Sequence, residues 1–168
     1  MNAVALFLLF TQRGDRMGKK ITDTLAIQLA VFCEGDMALE TMSEDVIAEF
    51  ERVEDTERLI KDPASQRLYK VLHATRALDT GLELFLTKKG DLPLEMKNHH
   101  LRAYITRLSN SKSGTYSKLN PHLAQAANEN IVFHRNRYVH KAGKYPNNQL
   151  IKQLIPDIFS FYHLVLGL

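Results

Sequence analysis

The chain has a single cysteine, Cys33, no tryptophan, and few glycines and prolines, eight and five in 168 residues. One cysteine excludes an internal disulfide and a zinc site built from several cysteines, and it suits a reducing cytoplasm, where we expect this protein to be located. The scarcity of glycine and proline disfavours a turn-rich β-sandwich and favours long helices. Cys33 lies among apolar residues, which indicates an inert thiol in the core.

The sequence has no apolar run that is long enough to cross a membrane. The N-terminal run over residues 3–10 has eight apolar residues, whereas a membrane-spanning helix needs about 20. No basic residue precedes this run and no small-residue cleavage site follows closely, so a secretory signal is poorly supported. Two interpretations stay open, an extra docking segment or translated sequence upstream of a natural start at Met17. We therefore expect an N-terminal extension over residues 1–18 and one domain over residues 19–168.

Motifs of several enzyme classes are missing as well. Neither His-Glu-x-x-His nor Gly-x-Ser-x-Gly occurs. Gly14 and Gly18 are one residue too close for a phosphate-binding loop, and no serine or threonine follows Lys19. The adjacent His99 and His100 would point about 100° apart on a helix, which is poor geometry for chelating one ion. We therefore expect no metal and no other cofactor.

Helix signals recur along the chain. A capping side chain followed by proline marks helix starts at Asp62-Pro63 and Asn120-Pro121, and residues 41–44 (Thr-Met-Ser-Glu) have the pattern of a capping box. Another helix is expected after Pro93, and the apolar last segment, 148–166, contains a proline that predicts a kink or a break. Between these signals apolar residues recur at helical spacing, without a convincing strand pattern. The sequence predicts an all-α fold of about five to six helices.

Acidic residues are almost absent from residues 97–144, which contain nine basic residues and the single acid Glu129. Residues 40–62 have the opposite balance, with nine acidic and three basic residues. The basic segment also contains five of the seven histidines and the tyrosines Tyr104, Tyr116 and Tyr138. Cations with aromatic residues between them suit a polyanion, because phosphate contacts release counterions and bases stack on rings. The alternative is a solvated basic face that balances an acidic helix.

A short segment near the end of the basic region carries the most specific signal. Residues 130–143 read Asn-Ile-Val-Phe-His-Arg-Asn-Arg-Tyr-Val-His-Lys-Ala-Gly, in which Arg135 is followed by Asn136 and, after four intervening residues, by His140. This resembles the Arg-x(4–6)-His signature of the HEPN superfamily, which comprises all-helical domains, many of them ribonucleases of defence and toxin–antitoxin systems. For one gap length the loose pattern is expected about 0.4 times by chance in a chain of this composition (about 1.2 times for the three gap lengths together), but only about 0.02 times with asparagine after the arginine.

The resemblance implies a metal-independent endoribonuclease in an HEPN-like bundle, with Arg135, Asn136 and His140 as its catalytic residues. RNA carries its own nucleophile, the 2′-hydroxyl, so cleavage needs proton transfer and stabilisation of a phosphorane. Histidine titrates near neutral pH, and the permanently charged arginine matches phosphate oxygens. The candidates for RNA binding are nearby basic and aromatic residues: Arg137, Lys141, Lys144, Lys112, Lys118 and Tyr138. A second match to the loose pattern, from Arg67 to His73, has leucine after the arginine, and we interpret it as structural.

The spacing of Arg135 and His140 also indicates whether one chain can form the site by itself. Arg135 and His140 are five residues apart, about 140° around a helix, so they do not converge simply. Either the arginine reaches round the helix, or a second copy completes the site. HEPN ribonucleases typically pair their motifs in a dimer cleft, so the resemblance implies a homodimer. It also implies an antitoxin or nucleotidyltransferase partner, although Ala142 stands where some members have the tyrosine that such a transferase modifies.

Two other interpretations of the chain stay open. One is a non-catalytic HEPN module that binds RNA, a nucleotide or a protein partner. The other is an unrelated helical bundle in which the motif is accidental.

Overall fold

The computed structural model describes residues 18–92 and 100–168. The helices in these two ranges are α1 (Gly18–Cys33), α2 (Met37–Leu59), α3 (Pro63–Lys88), α4 (Leu101–Asn110), α5 (Pro121–Ala127), a π-helical turn (Asn128–Val132), α6 (Phe133–Val139) and α7 (Asn148–Leu166). Because α5, the π turn and α6 follow one another without a break, the described chain has six helical rods and no strand. The predicted all-α class and the predicted number of helices are confirmed. None of the described helices is both long and apolar enough to cross a membrane.

Two of the predicted helix starts are present and are capped as the sequence indicates. The Asp62 carboxylate accepts a hydrogen bond from the Ser65 amide at 2.7 Å, with proline at the start of α3. The Asn120 side chain accepts one from the His122 amide at 2.8 Å, again with proline at the start of the helix. Both caps satisfy amides that have no partner within the helix. The expected helix start at Pro93 lies outside the described residues, as do His99 and residues 1–17 of the expected N-terminal extension, whose last residue, Gly18, begins α1.

The capping box predicted over residues 41–44 is wrong. Helix α2 begins one turn earlier, where the Asp36 carboxylate accepts hydrogen bonds from the Ala38 and Leu39 amides, both at 3.2 Å. Thr41 is inside the helix, and its hydroxyl donates to the Met37 carbonyl at 3.0 Å. The turn at Gly35, with φ of 81°, brings the chain to Asp36 before the threonine is reached. Aspartate there is a sufficient cap, so the helix starts at the first suitable side chain.

Helix α3 is the centre of the bundle, because it packs against α2, α4, α6 and α7. Its buried face continues into a core in which Phe50 of α2 stacks on Phe159 of α7 with ring centroids 4.3 Å apart. Cys33 is fully buried in this core, as the sequence indicates. The last segment is one helix with Pro156 inside it, so the proline does not split it.

The crossing of α3 and α7 depends on a glycine. The Tyr162 ring lies directly on Gly81, and a methyl group on Gly81 would be 2.6 Å from the Tyr162 hydroxyl oxygen. Tyr162 is fully buried, so its ring has no free space to move into. We expect Gly81→Ala to lower the free energy of unfolding by about 1–3 kcal/mol, because overpacking strain exceeds the helix propensity that alanine adds. Denaturant-induced unfolding measures this change.

Gly167→Ala is the matched control for this substitution. Its methyl group would meet nothing nearer than a backbone carbonyl oxygen at 3.5 Å, an ordinary contact. Equal stability of the Gly81→Ala and Gly167→Ala proteins would contradict the close packing of α3 on α7.

Candidate functional site

The motif lies at the end of the continuous helix over residues 121–139. A π turn precedes it directly, in which the Phe133 amide donates to the Asn128 carbonyl, five residues back. The buried residues Ala124, Ala127 and Ile131 of this helix are followed at helical spacing by half-buried Arg135. Such π turns occur frequently at functional sites.

Arg135 is on the side of α6 that faces α3. Its guanidinium lies 3.8 Å from the Asp79 carboxylate, and the two side chains are only 22% and 25% exposed. The other Asp79 oxygen, Oδ1, is buried and accepts no hydrogen bond. Burial raises the pKa of Asp79, and the charge of Arg135 opposes that rise. The pair therefore joins α3 to α6 and orients the Arg135 side chain. One oxygen of the Asp79 carboxylate remains without a hydrogen bond.

Asp79 is a residue that the sequence analysis did not single out. It lies in the middle of α3, far from the motif in sequence, and no local pattern connects it with Arg135. Only the packing of α6 on α3 brings the two together. Although Arg135 is charged and lies near the end of the helix, it is half-buried.

Asn136 and His140 face away from α3. Asn136 is exposed, and His140 is the exposed residue that ends α6, with φ of −101° and ψ of 0°. Since successive helical residues are about 100° apart, Asn136 and His140 lie about 100° and 140° around α6 from Arg135. Within one chain the structure therefore does not bring Arg135 and His140 together, and the arginine reaches towards Asp79 rather than round the helix.

Four of the predicted site residues surround one cavity of about 320 Å³, which is lined by Phe133, Asn136, Arg137, Lys141 and Lys144. Three of its lining side chains are cationic and none is acidic. The Arg137 guanidinium lies over the Tyr138 ring at 5.5 Å, a cation–π contact that restricts where the arginine points. Phe133 is the lining residue that sequence reasoning missed. The remaining candidates Lys112 and Lys118 are exposed in the connection between α4 and α5 and do not line this cavity.

Two of the three tyrosines that we expected to interleave with the cations are buried. Tyr104 is 1% exposed, and Tyr116 is 8% exposed. Tyr116 donates a hydrogen bond to the Asp91 carboxylate at 2.6 Å, and burial with this bond raises the pKa of Tyr116 to about 12. Their rings are part of the core and cannot stack on a bound base, so that expectation was wrong for both. Tyr138 is half-buried against His134.

His134 is a second residue without a complete set of partners. Its ring stacks on Tyr138 with centroids 6.1 Å apart, and its Nδ1 is buried without a hydrogen bond. Burial lowers the pKa of His134, and the positive charge of Arg137 lowers it further. The His134 imidazole is packed within α6, whereas His140, the other histidine of this segment, is exposed to solvent.

The second motif match has structural partners at both ends. Arg67 Nε donates to the Pro146 carbonyl at 2.6 Å, which ties α3 to the segment that follows α6. His73 Nδ1 is bonded to the buried Glu49 carboxylate, which also receives Arg52 at 2.8 Å and Arg76 at 3.3 Å. These contacts agree with the structural interpretation of this match.

Among residues 18–92 and 100–168, no group of three or more histidine, cysteine, aspartate or glutamate side chains is placed to hold a metal ion. Comparisons with models of protein families, with curated proteins and with solved structures find nothing that matches this chain. The resemblance to HEPN domains therefore rests on the motif residues.

Proposed function

We propose that this protein is a metal-independent endoribonuclease of HEPN type, which cleaves RNA by attack of the 2′-hydroxyl. The observation that carries the proposal is the placement of Asn136 and exposed His140 at the end of α6, beside a cavity with three cationic side chains. The motif resemblance adds a defence or toxin-like role, with an antitoxin or nucleotidyltransferase as the partner that controls it.

The chain offers a group for each chemical requirement of this reaction. His140 is accessible and takes the proton of the 2′-hydroxyl, or gives one to the leaving 5′-oxygen. Arg135 stays charged and stabilises the additional negative charge of the phosphorane. Asn136, four residues before His140, lies on the same helical face and orients the imidazole or the phosphate. Arg137, Lys141 and Lys144 hold the backbone of the strand.

Substrate chemistry tests this function directly. RNA with 2′-O-methyl groups should bind but resist cleavage, because its nucleophile is blocked. Unmodified RNA of the same sequence should be cut at the same rate in excess chelator and in magnesium. Activity that disappears with chelator and returns with magnesium would contradict the proposal.

A second copy of the chain is part of the proposal, because Arg135 and His140 face different sides of α6. In a dimer that pairs the two motifs, His140 of each copy supplies one of the two proton transfers. We expect cleavage activity to fall on dilution in parallel with the dissociation of the dimer measured by sedimentation. A monomeric sample that retains full activity would rule out the paired site.

The non-catalytic interpretation is also supported by one observation. Arg135 is engaged by Asp79 at 3.8 Å and is only 22% exposed, so the catalytic set is not assembled in one chain. A module of this kind would bind RNA through the cationic cavity and never cut it. Binding without cleavage, at every protein concentration tested, would favour this second function.

A further inference from the structure

Exposed aromatic residues are concentrated beside the motif. Among the large hydrophobic side chains that are exposed in the described residues, the two aromatic ones are Phe133, 54% exposed, and Tyr145, 50% exposed. An exposed ring adds little to folding, because the hydrophobic effect acts through burial. The Phe133 ring contacts the His134 ring with centroids 5.3 Å apart, and the packing of the bundle leaves more than half of this residue exposed.

The residues that line the cavity beside Phe133 come from α6 and from the turn that follows it. Gly143 turns the chain after α6 with φ of 73°, so Lys144 lines the same cavity as Asn136. The segment is then anchored by the bond from Arg67 to the Pro146 carbonyl, at 2.6 Å, and Pro146 itself is buried. The cavity thus lies between the end of α6 and the turn that follows it, and this turn is tied to α3 through Pro146.

The lining chemistry fits one kind of ligand. The wall of the cavity is mainly apolar and includes Phe133, while Arg137, Lys141 and Lys144 carry three positive charges and Asn136 carries an amide that both donates and accepts hydrogen bonds. A volume of about 320 Å³ is at the lower end of the range for small-ligand sites. A flat heterocycle joined to a phosphate matches all three features, since bases stack on aromatic rings and phosphates bind arginine and lysine.

We propose that this cavity binds one unpaired nucleotide of an RNA strand, with its base stacked on Phe133 and its phosphate held by Arg137, Lys141 and Lys144. A base within a duplex is already stacked on its neighbours, so the site selects single-stranded over double-stranded RNA. We also expect the strand to be cut next to this nucleotide. That expectation rests on the proposed ribonuclease function, whereas the binding of the nucleotide does not.

Binding of a short, fluorescently labelled single-stranded RNA to the full chain tests the proposal. His140→Ala is the background for every variant, so that the RNA stays uncut. We expect Phe133→Leu, which keeps the apolar volume but removes the aromatic face, to weaken binding about 5- to 150-fold, the range that stacking of one base supplies. Phe133→Tyr keeps the stacking face and should bind nearly as well as the background protein. Leu59→Ala, at another exposed apolar position (56% exposed), is the matched control and should leave the affinity unchanged.

Salt dependence and base removal separate stacking from charge. Phe133→Leu should leave the dependence of the affinity on salt unchanged, whereas Lys144→Ala should reduce its slope by about 0.7, the value for one phosphate contact of a single strand. RNA that lacks the base at the bound position should bind more weakly than intact RNA, by the same factor as Phe133→Leu weakens the binding of intact RNA. The two losses should not add when the variant is combined with the RNA that lacks the base.

The outcomes distinguish this proposal from the proposed function. Unchanged affinity of Phe133→Leu, or equal affinity for duplex and single strand, would overturn the nucleotide site even if the wild-type protein cuts RNA. If a free nucleoside monophosphate binds as tightly as the strand, the site does not need an RNA strand, and the proposed ligand is wrong. Loss of binding in Phe133→Leu, with no cleavage by the wild-type protein, would support the site and refute the ribonuclease.

Discussion

Replacing His140 by alanine should lower the rate of RNA cleavage by about 10²–10⁴-fold, because it removes a group that carries a proton in the reaction. His140 is exposed at the end of α6, so the variant should retain its fold, as circular dichroism and thermal unfolding can verify. The affinity for RNA should change little, because Arg137, Lys141 and Lys144 remain. Single-turnover cleavage with saturating enzyme measures the loss of rate without a contribution from binding.

Two other histidines provide the controls. His122 is exposed at the start of α5, and His122→Ala should cleave at the wild-type rate. His73→Ala should lose stability, because it leaves the buried Glu49 carboxylate with one fewer partner, but its folded fraction should remain active. An active His140→Ala protein together with an inactive, folded His73→Ala protein would show that the site is assigned to the wrong histidine.

Arg135→Ala should reduce the cleavage rate by about 10²–10³-fold, the usual loss for one group that stabilises a negatively charged transition state. The structure predicts a second effect, since the substitution leaves Asp79 half-buried and unpaired. We expect the free energy of unfolding to fall by about 1–3 kcal/mol, the cost of an unsatisfied buried polar group. The single variant alone therefore cannot separate a catalytic arginine from a structural one.

The double variant Arg135→Ala, Asp79→Asn makes that separation. Asparagine removes the negative charge that Arg135 balances, so stability should recover by most of the loss, while the rate should stay as low as in Arg135→Ala. Asp79→Asn alone should remain folded and keep Arg135, although the arginine is no longer oriented from α3. Recovery of the cleavage rate together with stability in the double variant would show that Arg135 acts only through the fold.

Local chemistry explains which parts of the fold could be predicted. The starts of α3 and α5 were predictable because Asp62 and Asn120 cap amides two or three residues away, and the following proline is favoured at the first position of a helix. The start of α2 was not, because two candidate capping residues, Asp36 and Thr41, lie only five residues apart. Asp36 comes first in the chain and caps the helix, which leaves Thr41 inside it.

The candidate site depends more strongly on packing between distant segments. Asn136, Arg137, Lys141 and Lys144 come together as their spacing in the sequence suggests, because one helix end and one turn carry all of them. The contact of Arg135 with Asp79 could not be predicted, since it requires knowing which face of α6 meets α3. For the same reason Tyr116 was wrongly expected to stack on a base, because the contact of its hydroxyl with Asp91 exists only in the folded chain.

The chemical nature of the cleaved ends tests the central claim most directly. A labelled RNA is incubated with the wild-type protein in excess chelator, and both new ends are identified. Attack by the 2′-hydroxyl, with His140 as the proton carrier and no metal ion, predicts a 2′,3′-cyclic phosphate on one product and a 5′-hydroxyl on the other. Products that end in 5′-phosphate and 3′-hydroxyl would require a water nucleophile and would contradict this account.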